Sequence, residues 1–308
     1  MKNSKMDPKN YDFVLHENPS DVHDYFLQEG ILSKGDRYFC AKLLKKNKCK
    51  MLLYFVLLSN GQAVSLKNTP FGGFWVEKKV SSEAVQYFLE ELIVHLKKIP
   101  CRSLKVVQAP GLYESNNALI HYILYSKGFE LKGMLLHQFL EDRKIIKGLL
   151  MAKLPKHKKK MKKLGYSVEQ GSIKSFNFLK DIQQWRRIRG HEYNVQEESL
   201  INQISSFPDR YFLVSIYHDE TPVSHVLCVK LTSNSLYYYL PAINPQMQVT
   251  YSGEAMMLEV IQLGDALGVD FIDFGSSDLD GATNHSLIRF KSKFANATAN
   301  KLTWILEL

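Results

Sequence analysis

Tyr237, Tyr238 and Tyr239 stand in a β-rich run, Leu236 to Ile243, where the two-residue period of a strand turns Tyr237 and Tyr239 to one side and Tyr238 to the other. Two phenols on one face can line a cleft and protonate a leaving group. Asp273, at the carboxyl end of the six-residue run Val269 to Phe274, is the candidate general base. The segment after it, Gly275 to Gly281, is turn chemistry throughout. Ser276, Ser277 and the following Asn284 are candidates to donate to a substrate oxygen, and Lys291 is the candidate to pair with an anionic group. Together these residue types describe proton transfer and charge stabilisation.

Three elements must position them. Ser252 as N-cap, then Met256, Val260, Leu263 and Leu267 at spacings of four, three and four, then Gly268, mark an amphipathic helix. Val269 to Phe274 is too short for a second helix and reads as a buried strand. Asn284 opens a further helix, Asn284 to Lys293. In open α/β sheets, the carboxyl end of a strand that turns into a helix is the usual place for a ligand crevice.

The same unit is echoed earlier in the chain. Ser81-Ser82-Glu83-Ala84 matches Ser252-Gly253-Glu254-Ala255, and Asn116-Asn117-Ala118-Leu119-Ile120 matches Asn284-His285-Ser286-Leu287-Ile288, at offsets of 171 and 168 residues. Two matches in the same order at nearly the same offset argue for two copies of one α/β unit. The first half supplies strands at Tyr38 to Leu44, Met51 to Leu58 and Gln62 to Leu66, a helix from Ser82, a strand Ser103 to Gln108, a helix from Asn116, and a long strand to Leu140. A short apolar helix is expected over Val22 to Leu32. The second half reads β-α-α-β-β-β-α-β-α-β and closes on Leu302 to Leu308. Each copy is therefore expected to be a mixed α+β sheet with helices on both faces, over 1–145 and 166–308, with a basic helical connector at 146–165. Pro70-Phe71-Gly72-Gly73-Phe74 permits close backbone approach to a ligand or to a neighbouring loop.

Composition excludes several classes. With 45% hydrophobic and 12% aromatic residues in 308, the chain has ample material for packed cores. Four dispersed cysteines without a Cys-x-x-Cys pair argue against a disulfide framework and against zinc, and no metal site is expected. The polar start and the absence of a long apolar run predict a cytoplasmic protein. His191-Glu192 lacks the second histidine of a metalloprotease helix, no Gly-x-Ser-x-Gly occurs, and Asp278-x-Asp280-Gly281 is too short for a calcium loop.

The net charge of +9 is concentrated: seven lysines lie between Lys153 and Lys163. Pro155 is expected to start a new helix there, with Lys156, Lys160 and Lys163 on one face. Such a run favours polyanions, whether a phosphate group, an RNA or an anionic membrane surface.

The element order, together with Phe274-Gly275, Leu287-Ile288-Arg289-Phe290-Lys291 and Phe294, resembles the tandem GNAT-like acyltransferases related to the FemABX peptidoglycan aminoacyltransferases. The resemblance covers the chain from about Tyr38 onward, and Phe294-Ala295 replaces the family's second Phe-Gly. It implies two tandem GNAT-like domains and transfer of an acyl or aminoacyl group to an amine, with acyl-CoA or aminoacyl-tRNA as co-substrate and no permanently bound cofactor. The acceptor would be a small molecule or a cell-wall precursor. By the same resemblance Gln248, Ser252 and Gly253 correspond to the loop that holds a coenzyme A pyrophosphate. Tyr251 stands where the family has a glycine, and Glu254 brings negative charge to a helix start that would otherwise attract an anion. Both departures suit an aminoacyl-tRNA donor, as does the basic helix. The readings set beside it are a catalytically idle binding protein of the same fold for a sugar, lipid head group or cell-wall precursor, and an RNA-associated protein.

Overall fold

The computed structural model describes residues 10–19, 23–29, 35–190, 193, 195–247, 251–279 and 281–308. The chain forms two compact units, Met1–Leu136 with Ala299–Leu308, and His137–Thr298.

In the first unit, β1 (Asp12–Glu17), β2 (Arg37–Lys45), β3 (Lys48–Leu57) and β4 (Gln62–Val64) follow one another antiparallel, and β5 (Phe74–Val76) adds to β3. Helix α1 (Ser82–Leu96) starts where Ser81 accepts from the Ala84 N–H, and buries Ala84, Val85, Phe88, Leu89, Leu92 and Leu96 against the sheet. It leads into β6 (Ser103–Val107), which lies parallel to β4, and then into α2 (Asn117–Ser126). The strand on the far side of β6 is the end of β15 (Ala297–Glu307), with Thr303 opposite Val107 and Trp304 buried in the core. Sequence order alone gives this strand to the second copy. Hydrogen bonding to β6 and burial of Trp304 decide its actual place.

Gly73 is explained here without a ligand. Its φ is +89°, and a Cβ on it would come within 2.9 Å of the Cα of Gln108. Gln108 reaches across this contact to bind both the N–H and the carbonyl of Phe74, at 2.8 and 3.0 Å. The neighbouring loop, not a substrate, requires the glycine. Of the helix expected over Val22 to Leu32, the described part is a 3-10 turn, Phe26–Glu29, beside Tyr25, whose hydroxyl donates to the Phe71 carbonyl; residues 22 and 30–32 lie outside the described residues.

The second unit begins with the end of β7 (Glu130–Glu141), from His137 on, and continues through α3 (Arg143–Lys163), β8 (Tyr166–Ser172), α4 (Asn177–Ile188) and α5 (Glu197–Ser206). Strands β9 (Tyr211–His218), β10 (Thr221–Val229) and β11 (Ser235–Ile243) follow, then α6 (Ser252–Ala266), β12 (Phe271–Ser276), the small hairpin β13 (Asp278–Leu279) and β14 (Ala282–Thr283), and α7 (His285–Lys291). Its sheet runs β8-β9-β10-β11-β12-β7, antiparallel except for β11 beside β12, which α6 joins by a crossover. Tyr238, Val226, Val260 and Phe274 share its core.

Helix α3 runs unbroken through Pro155. Proline removes one backbone donor from a helix interior. Ile146, Leu150, His157 and Met161 repeat on one face and are buried, so packing against α6 extends over both sides of the proline and holds the helix as one. No helix among the described residues is long and apolar enough to cross a membrane.

Candidate active site

Strands β11 and β12 pair only from Ser235 opposite Phe271 to Tyr237 opposite Asp273. On its other edge β12 shifts register against β7 between Asp273 and Ser276, so Phe274 and Gly275 together face Gln138. This is a β-bulge, and Gly275 supplies its positive φ of 71°. The bulge turns polar groups of one strand toward a common point. The Oδ1 of Asp273 accepts from the Gly275 N–H at 2.7 Å, and both carboxylate oxygens lie 3.0 Å from the Nδ1 of His137. A carboxylate only accepts, so Nδ1 carries a proton, and in the neutral ring Nε2 presents a lone pair. Asp273 and His137 are fully buried, and among the described residues the Nε2 has no hydrogen-bond partner.

Above this pair the aromatic rings run in sequence. Tyr237 lies parallel to His137 at 6.4 Å between centroids, and Tyr239 is 6.0 Å from Tyr237. Burial raises the Tyr239 phenol above the usual tyrosine range, with Arg186 of α4 pulling it back. Arg186 is itself lowered by burial, against the pull of Tyr193 and Tyr239.

Lys291 enters from α7, whose start is capped by the side chain of Asn284 accepting from the Leu287 N–H at 2.9 Å. The lysine is only 3% exposed and donates to the carbonyls of Gly275, at 3.1 Å, and Ser276. Burial pushes its pKa down to about 8, while Asp273 and Asp278 act to raise it. The Ser277 hydroxyl donates to the Gln138 side chain at 3.3 Å, and Gln138 donates in turn to Ser292. Thus Asp273, Tyr237, Tyr239, Lys291 and the backbone of Ser276 meet in one place, whereas Asn284 and Ser277 are engaged in building the loop.

The remaining candidates lie elsewhere in the unit. Lys156, Lys160 and Lys163 are exposed on α3, with the Lys160 Nζ 3.7 Å from the centre of the Tyr251 ring. The Tyr251 hydroxyl donates to His157 Nδ1 at 2.9 Å, and His157 Nε2 meets Glu259 at 2.7 Å. Ser252 is buried at the first turn of α6, and a Cβ on Gly253 would touch Phe290 at 3.5 Å. Gln248 lies outside the described residues. A serine, histidine and aspartate also meet at Ser215, His225 and Asp181, with distances of 2.8 and 3.2 Å, but both ring nitrogens of His225 are engaged there and its ring stacks on Trp185, which ties α4 to the sheet. Among the described residues no cluster of His, Cys, Asp or Glu is arranged to hold a metal.

His137 and the bulge escape sequence reasoning. The histidine sits in a strand 136 residues from its aspartate, and only the pairing of β7 with β12 brings them together.

No protein-family model matches the chain, and no curated protein sequence matches it. Solved structures do. FemX superimposes with a TM-score of 0.65 at 12% identity, over 89% of this chain and 89% of its own. The tandem GNAT protein from the clavulanic acid biosynthesis pathway matches with a TM-score of 0.51 at 12% identity, over 88% and 83%. The chain has a tandem GNAT-like fold. The C-terminal domain of a putative lysylphosphatidylglycerol synthetase from Agrobacterium fabrum shares it, with a TM-score of 0.53 at 11% identity over 83% and 80%.

Proposed function

We propose that the second unit is an N-acyltransferase site of the GNAT/FemABX kind, moving an acyl or aminoacyl group to an amine. The observation that carries this reading is the His137 Nε2, buried and without a partner among the described residues, with Asp273 facing the opposite nitrogen. Asp273 then orients the base, and His137 takes the proton as the amine nitrogen attacks the acyl carbon. The new C–N bond forms, the C–S or C–O bond to the donor breaks, and Tyr237 protonates the departing group. Tyr239 extends the same phenol face, and Lys291 places a cation beside the bulge for an anionic group of the substrate.

The crowded first turn of α6 supports aminoacyl-tRNA over acyl-CoA as donor. Ser252 is buried, Gly253 packs on Phe290, and Glu254 adds negative charge to the first turn. The flank of α3 that carries Lys153, Lys156, Lys160 and Lys163 offers the polyanion a binding surface. The resemblance to the FemABX peptidoglycan aminoacyltransferases, with the FemX likeness beside it, supports a cell-wall precursor as acceptor. Free thiols at Cys40, Cys49, Cys101 and Cys228 suit work in the reducing cytoplasm.

The test is transfer of label from aminoacyl-tRNA, and separately from acyl-CoA, to a panel of amino sugars, precursor peptides and lipid amines. Label should appear in an acceptor with wild type and be lost with His137→Gln. Absence of transfer from either donor, with no donor-dependent rise in melting temperature, overturns the reading.

A further inference from the structure

The charge of the whole chain resides in one helix. Helix α3 carries one arginine and nine lysines with no acidic residue. Of the chain's 40 basic side chains these are ten, leaving 30 against 31 acidic ones elsewhere. The ten basic residues are not arranged uniformly around the helix. Lys153, Lys156, Lys160 and Lys163 follow one flank, and the first and third of these lie over the rings of Phe294 and Tyr251. Lys147, Met151, Leu154 and Lys158 recur at spacings of four, three and four on the other flank.

That second flank borders a groove of about 590 Å³ between α3 and α6, floored by Leu150, Met151, Leu154 and Pro155. Lys147 and Lys158 stand at its rim from α3, and Asp265 is its single acid, from α6. Met151 is 81% exposed there. A solvated basic face has no use for an exposed methionine between two of its lysines. Apolar side chains set between cations are the pattern of a helix that lies on a membrane surface, where the lysines meet phosphate and the apolar residues meet acyl chains. An RNA-binding surface would instead present aromatic rings for base stacking, and the groove contains none.

We propose that the groove face of α3 docks on an anionic bilayer, with a lipid chain entering between Leu150 and Leu154 and its phosphate held by Lys147 and Lys158. The site is separate from the Asp273 cluster and does not depend on acyl transfer.

Sedimentation with vesicles of phosphatidylglycerol and phosphatidylcholine, against phosphatidylcholine alone, tests this on the full chain. Wild type should bind only the anionic vesicles. Lys147→Gln with Lys158→Gln should weaken binding by more than tenfold, at about fivefold per lysine held at the surface. Met151→Asp should weaken it comparably, and because Met151 is exposed its melting temperature should be unchanged. The control is Lys156→Gln with Lys163→Gln, which removes the same charge from the opposite flank and should cost only a few-fold. Equal losses for the two lysine pairs, together with full binding by Met151→Asp, would reduce the effect to diffuse charge and overturn the groove. Failure to bind anionic vesicles overturns it as well.

Discussion

Asp273 accepts from the N–H of Gly275 at 2.7 Å, and Lys291 donates to the carbonyl of the same glycine at 3.1 Å. One residue of a bulge is thus gripped from two sides by opposite charges that the backbone separates. Phe274-Gly275 and Phe290-Lys291, which the sequence links only through a family resemblance, are two halves of one device.

The buried lysine makes stability depend on pH in an unusual direction. Its folded pKa is about 8 against 10.5 for the free side chain, so at neutral pH both states hold the proton and the cost of burying the charge is fully present. From about pH 8 to 10.5 the folded state releases its proton first, and stability rises with pH by up to about 3 kcal/mol. In urea denaturation, wild type should gain stability over this window relative to Lys291→Met. Parallel curves for the two proteins would refute the low pKa.

His137 and Asp273 should fail together in catalysis. His137→Gln is expected to lower kcat by about 10²- to 10⁴-fold, and Asp273→Asn by a comparable factor because it frees the ring to take the other tautomer. The double variant should be scarcely worse than either single one, as for groups that act as a unit. Additive losses in steady-state kinetics would separate their roles.

Two glycines should differ in tolerance. Gly275→Ala places a Cβ at ordinary contact, 3.5 Å from the Tyr237 ring, so only the left-handed backbone is penalised, by about 1–2 kcal/mol. Gly73→Ala meets the same penalty at φ +89° and adds a clash with the Gln108 backbone. Thermal melts should rank Gly73→Ala as clearly the more damaging.

The polar seam between α3 and α6 gives a fourth expectation. Glu259→Leu leaves the buried His157 Nε2–H without an acceptor and should cost about 1–3 kcal/mol, whereas Tyr251→Phe removes one donor and should cost about 1. Chemical denaturation of both variants checks the order.

Periodicity revealed the elements because burial imposes it. The helix over Ser82, the helix from Ser252 and the Tyr237/Tyr239 alternation follow from side chains that must face a core or avoid it. Pro155 misleads because its local penalty is outweighed by the long buried face of α3. The same limit hides His137, whose meaning comes from a strand pairing, and a register shift of one residue leaves no trace in composition.

The placement of β15 bears on how the molecule comes into being. Residues 299–308 complete the sheet that residues 1–136 begin, and the 162 residues between belong to the other unit. At about 5–20 residues per second, a ribosome leaves the first unit without its Trp304 strand for roughly 8–30 s after Leu136 has been made. During that interval the open edge of β6 is exposed to any other extended chain. Vectorial synthesis therefore favours the second unit as the first to finish, and the sheet of β1 to β6, though made earlier, is the last to be sealed.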